Sequence, residues 1–113
     1  MDANWPGEWL RGPLEMMALA VVAEGETYGY LIAARLEEAG IGTVKGGTLY
    51  PILARLEQAG ALASEWRQGD GGPGRKYYSA TPVGRARLDE QRRRWLLFAE
   101  RTTALLAPRR DPA

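Results

Sequence analysis

GGTLYPILARLEQAGALASEWRQGDGGPGRKYYSAT, Gly46 to Thr81, reads as a helix followed by two strand-like runs around a glycine-rich basic loop. Leu49, Ile52, Leu53 and Leu56 recur at spacings of three and four, the stripe of an amphipathic helix, and Gly60 closes it. Pro51 has no N–H to donate, so it belongs in a first turn, which sets the helix start near Gly47 or Thr48. Ala61 to Arg67 (ALASEWR) and Arg75 to Ala80 (RKYYSA) have strand character, and the QGDGGPG between them is rich in turn residues. The stretch therefore predicts a helix that runs directly into a β-hairpin.

Working outward, Thr27 to Gly40 (TYGYLIAARLEEAG) is a further helix pattern, with Thr27 as its expected N-cap and Gly40 at its end. Before it, Leu14, Met17, Ala18, Val21 and Val22 mark a first helix from about Arg11 to Glu24, with Pro13 in its first turn. Two helices joined by a short Gly-containing turn form a helix-turn-helix pattern, and a hairpin immediately after the second supplies a wing. Of the wing's adjacent tyrosines, Tyr77 and Tyr78, one must face the core and the other away from it. Pro82 to Leu106 then reads as one long helix in which Leu88, Trp95 and Thr102 fall seven apart, as do Gln91, Phe98 and Leu105. That seam, widened by Leu96, Leu97 and Leu106, carries more apolar surface than so small a domain covers, so the helix is expected to pair with its own copy. The predicted architecture is mainly α: a winged helix-turn-helix of three helices and a two-stranded wing over residues 1–81, a dimerisation helix over 82–106, and a disordered tail over 107–113.

The chain's 113 residues suffice for one small domain. Without Cys or His it has no disulfide framework, no thiolate or imidazole metal site and no histidine acid–base chemistry, so neither a metal nor a cofactor is expected. No cluster of carboxylates or lysines stands out as an enzyme site. The longest apolar run, Met16 to Ala23, is too short to span a bilayer, and a soluble, cytoplasmic protein is expected. The net charge of +1 conceals a division along the chain. Before Lys45, Arg11 and Arg35 face Asp2, Glu8, Glu15, Glu24, Glu26, Glu37 and Glu38; from Lys45 to Arg85, Lys45, Arg55, Arg67, Arg75, Lys76 and Arg85 face Glu57, Glu65 and Asp70. A basic middle segment points to a polyanion, although a solvated face of mixed charge gives the same pattern.

Taken in order, LRGPLEMMALAVVAEGETYGYLIAARLEEAG, VKGGTLYPILARLEQAG and RKYYSATPVGRARL resemble the PadR family of winged-helix transcriptional regulators over nearly the whole chain. The length resembles the compact subgroup with a single C-terminal helix. The resemblance implies a non-enzymatic homodimer that binds a partly palindromic operator, usually as a repressor, and releases it on an effector or stress signal.

On that reading Thr48 and Tyr50, at the start of the recognition helix beside Pro51, match family positions that touch DNA. The competing roles are a helix cap for Thr48 and packing on a neighbour for Tyr50. Lys45 is expected on a phosphate, and Arg55 either joins it or pairs with an acidic residue nearby. Tyr28 is expected to reach a phosphate, Tyr30 to serve there or in the core, and Arg75 and Lys76 to reach the minor groove or its phosphates from the wing, with one of the pair left on a solvated hairpin tip because neighbouring strand residues face opposite sides. Trp95 either packs the dimer core or, as in multidrug-sensing relatives, stacks on a small apolar or aromatic effector, with Phe98 and Trp9 as its expected neighbours and Leu88 on the same seam. The alternative function is a winged helix that binds protein instead of DNA.

Overall fold

The structure is a computed structural model and describes residues 5–69 and 71–109. A short helix α1 (Gly7–Arg11) precedes α2 (Leu14–Ala23); a two-residue strand β1 (Thr27–Tyr28) leads into α3 (Gly29–Glu38), then α4 (Gly46–Gln58). The wing strands β2 (Leu62–Arg67) and β3 (Arg75–Ala80) follow, and α5 (Pro82–Leu106) ends the regular structure. The sheet has the order β1-β3-β2, antiparallel throughout.

Three features differ from the sequence reading. Thr27 does not cap a helix: it is buried in β1 opposite Tyr78, and α3 begins at Gly29 without a side-chain cap, so the expected two-stranded wing is a three-stranded sheet. The first helix expected from about Arg11 begins only at Leu14, with Pro13 at its N-cap position, and an unexpected short helix, α1, precedes it. Helix α4 starts at Gly46, before the expected Gly47 or Thr48, so Pro51 lies inside it and cannot donate to the Gly47 carbonyl one turn back.

Helices α3 and α4 end alike, because Gly40 (φ +89°) and Gly60 (φ +78°) adopt the left-handed conformation that L-residues with a Cβ avoid. The amides after them, of Ile41 and Ala61, then bond back to Leu36 (3.0 Å) and Leu56 (2.9 Å). The core joins Leu14, Leu19 and Val22 of α2, Ile32 and Leu36 of α3, and Leu49, Leu53 and Leu56 of α4. Leu62 and Tyr78 close it from the sheet and Leu88 from α5. Of the two tyrosines, Tyr78 is the inward one. At the start of α5, Thr81 accepts from the Gly84 amide at 3.0 Å, a true N-cap, with Pro82 at the first helical position. Beyond Leu88 the rest of α5 leaves the core, and its Leu96, Leu97, Phe98, Leu105 and Leu106 are exposed. Among the described residues no helix is long and apolar enough to cross a membrane. Ala107 to Arg109 lie past the helix end; the rest of the expected tail, from Arg110 on, falls outside the described residues.

Candidate nucleic-acid interface

Helix α4 opens on Lys45, whose extended backbone (φ −77°, ψ 156°) turns the chain into the helix while its carbonyl accepts from Thr48 and Leu49, each at 2.9 Å. No side chain caps this end, so the leading amides at Gly46 and Gly47 have no intrahelical partner and carry the positive end of the helix dipole. Lys45, Thr48, Tyr50 and Pro51 are all exposed there. Thr48 therefore does not take the capping role that its position allowed. Tyr50 is 53 % exposed, with its ring laid against Gly29 at the N-terminus of α3 and against Gly46. Its packing and its exposure coexist, because only one side of the ring is covered.

A groove of about 720 Å³ runs between this end of α4, the start of α3 and the wing, lined by Tyr28, Tyr30, Tyr50, Trp66, Arg75 and Lys76 among others. Tyr30 is exposed and belongs to this surface, not to the core. Trp66, 71 % exposed, was missed in the sequence. The signal was present, since period-two alternation puts Trp66 on the same sheet face as buried Leu62 and turns it toward α4.

The basic residues divide by what they pair with. Arg67 is held by Glu26 (2.6 and 2.7 Å) and Glu65 (2.7 Å), which raise its pKa further above the usual guanidinium value. Lys76 is drawn to Glu57 of α4 at 3.2 Å, and Ser64 donates to the same carboxylate at 2.6 Å. That hydrogen bond first, and the ammonium with it, hold the Glu57 carboxyl below its ordinary pKa against the opposing effect of burial. Arg55 bonds Glu15 of α2 at 3.1 Å, and the other oxygen of Glu15 takes Arg87 of α5 at 3.0 Å. Arg55 thus takes the alternative of pairing with an acidic residue, and Lys76 is tied to α4 instead of standing free on the wing. Among the described residues, Lys45 and Arg75 have no carboxylate within ion-pair distance. Arg75 lies over the Tyr28 ring at 4.7 Å, Tyr28 meets Tyr77 edge-on at 5.3 Å, and Arg67 covers Tyr77 at 4.6 Å, a cation–aromatic ladder along the outer wing. Tyr28 is thereby half-buried within the ladder.

At the other end, Trp95 and Phe98 approach at 5.7 Å and line a shallow hollow of about 390 Å³ with Met16, Gln91 and Arg94. The Gln91 side-chain oxygen is buried there without a donor. Trp9 does not join them; it stacks on Trp5 at 6.3 Å, whose indole N–H donates to the Gly40 carbonyl. Leu88 is 5 % exposed within the chain's own core and is not on the open seam. The described residues contain no group of three or more acidic side chains placed to hold a metal.

The sequence profile of the family described as "Transcriptional regulator PadR-like family" matches residues 18–90, from α2 into α5. The chain is 43% identical over 86 residues to the "Transcriptional regulator Rv3488" of Mycobacterium tuberculosis, covering 76% of this chain and 78% of that one. Among solved structures it resembles a PadR family transcriptional regulator from Eggerthella lenta, with TM-score 0.80, 36% identity and coverage of 90% and 88% of the two chains. It also resembles a PadR-like transcriptional regulator from Bacillus cereus, with TM-score 0.81, 29% identity and coverage of 91% and 100%. The winged-helix fold and these similarities agree: the chain belongs to the PadR-like family of transcriptional regulators.

Proposed function

We propose that the protein is a cytoplasmic repressor that binds a partly palindromic operator as a homodimer, with the N-terminal end of α4 in the major groove and the wing on the flanking backbone. The observation that carries this reading is the uncapped start of α4, where free amides, the helix dipole, Lys45, Thr48 and Tyr50 converge on one exposed surface. Arg75, without a carboxylate partner among the described residues, extends that surface onto the wing. Residues 1–81 would then read DNA, and residues 82–106 would pair the copies. The exposed apolar run of α5 supports pairing, since isolated in water it leaves Trp95, Leu96, Leu97, Phe98, Leu105 and Leu106 uncovered. Two heads related by a twofold axis would read half-sites about one turn, roughly 10 base pairs, apart.

Release by a small apolar or aromatic effector is part of the proposal. The hollow at Trp95 and Phe98, with the unpaired Gln91 oxygen, offers aromatic faces and one acceptor. Glu15 joins α5 to α4 through Arg87 and Arg55, so a change in α5 has a route to the recognition helix. The test is selection of duplexes from a random-sequence pool, followed by anisotropy titration at low and high salt. Salt-dependent binding to an enriched, partly palindromic sequence is expected; absence of binding at low salt contradicts the proposal.

A further inference from the structure

We infer that Trp66 is a DNA-contacting residue of the wing, whose indole packs on a deoxyribose of the strand passing between wing and recognition helix while its Nε1–H donates to a phosphate oxygen. The inference rests on the DNA-binding reading above and adds to it a contact that is not ionic. On β2 the side chains of Leu62, Ser64 and Trp66 share the face turned toward α4. Leu62 is buried and Ser64 is bonded to Glu57, but Trp66 stands beyond the reach of the core. Lys76, its partner directly across the ladder, is pulled inward by Glu57 at 3.2 Å. The indole is left as the outer wall of the groove.

The ring lies beside the wing-tip backbone: a methyl on Gly74 would sit 3.7 Å from Trp66 Cε3 and a tight 3.1 Å from the Arg67 carbonyl oxygen. The ring faces a groove whose other residues include Tyr28, Tyr30, Tyr50 and Arg75. A partner for that surface must offer apolar faces and negative charge in alternation. A sugar–phosphate strand does so, and the groove reaches Tyr50, whose ring lies against Gly46 at the uncapped, positive end of α4. An indole has an apolar body and one donor N–H, which suits both parts of that strand.

A duplex enriched by the wild-type protein, titrated with wild type, Trp66→Ala and Trp66→Phe, tests this. Trp66→Ala is expected to weaken binding about tenfold, the scale of one well-placed interface aromatic, with no change in the salt slope, because no cation is lost. Addition of duplex is expected to quench the tryptophan emission of the wild type, and that quenching should be missing from Trp66→Phe, a variant that keeps a ring on Gly74 and holds the wing together. Binding by Trp66→Ala within about twofold of wild type, or equal quenching in Trp66→Phe, overturns the inference and leaves DNA binding standing. Failure of the wild type to enrich any duplex removes both.

Discussion

The ring of Tyr50 stands where a side chain on Gly29 would have to be: a methyl there would come within 2.7 Å of Tyr50 Cζ, and closer still to its hydroxyl. The start of α3 and the exposed end of α4 are therefore shaped by one contact. Because Tyr50 is half exposed, Gly29→Ala can be accommodated by swinging the ring outward, with a stability loss of under about 1 kcal/mol. Operator affinity should fall further than stability does, since the ring then leaves its position beside the helix end. In the Tyr50→Ala background Gly29→Ala should have no further effect on affinity, and a double-mutant cycle by anisotropy checks this.

Gly84 provides the contrast. A methyl at this position would sit 2.9 Å from the Ala61 carbonyl carbon and closer to its oxygen, and that backbone also accepts from the Thr81 amide at 3.1 Å. Nothing there can rotate away. Gly84→Ala should cost about 3 kcal/mol and lower the thermal midpoint by on the order of 10 °C, measured by circular dichroism. A midpoint equal to wild type would mean that α5 does not dock on the α4–β2 turn as described.

The long helix and the wing were legible because their signals are local. Pro82 and the absence of Gly beyond Gly84 mark α5 at the residues where it forms, and the turn-rich loop marks the wing. Strand β1 was not legible: two residues carry no periodicity, and what makes them a strand is pairing with Tyr77 and Tyr78, some fifty positions away. The same holds for the site. Exposed Lys45, Thr48 and Tyr50 follow from the helix start, whereas the capture of Arg55 by Glu15 and of Lys76 by Glu57 depends on tertiary approach. Leu88 fitted a seam in sequence but is taken by the core, because the first turns of α5 pack on α2 and only the later ones project.

Glu57 ties the wing to α4 through Ser64 and Lys76. Its carboxyl titrates below its ordinary value of 4.5 in the folded chain, so its stabilising contribution is complete above that value and fades as pH falls through the lower, folded one. Glu57→Gln should therefore cost about 1 kcal/mol near neutral pH. The difference from wild type should shrink steadily in acid. Paired thermal melts across the acid range check the sign; a difference that grows on acidification would contradict it.

Pairing through α5 gives a separate expectation. A carboxylate placed among exposed Trp95, Leu97 and Leu105 faces desolvation without a partner when a second copy packs there. Phe98→Asp should convert a dimer to monomer in sedimentation velocity at micromolar concentration and remove the concentration dependence of the thermal midpoint. A wild type that sediments as a monomer would set the proposed pairing aside.

In the proposed complex the exposed end of α4 and the wing tip grip the phosphate backbone through Lys45 and Arg75, while Lys76 and Arg67 are held in ion pairs within the chain. The slope of log affinity against log salt on a selected duplex measures this most directly. Four such cations in a dimer give a slope of about −4, and Lys45→Ala or Arg75→Ala should each reduce it by about 2, with Lys76→Ala leaving it close to wild type. A slope unchanged by Lys45→Ala and Arg75→Ala, or lost with Lys76→Ala instead, would contradict it.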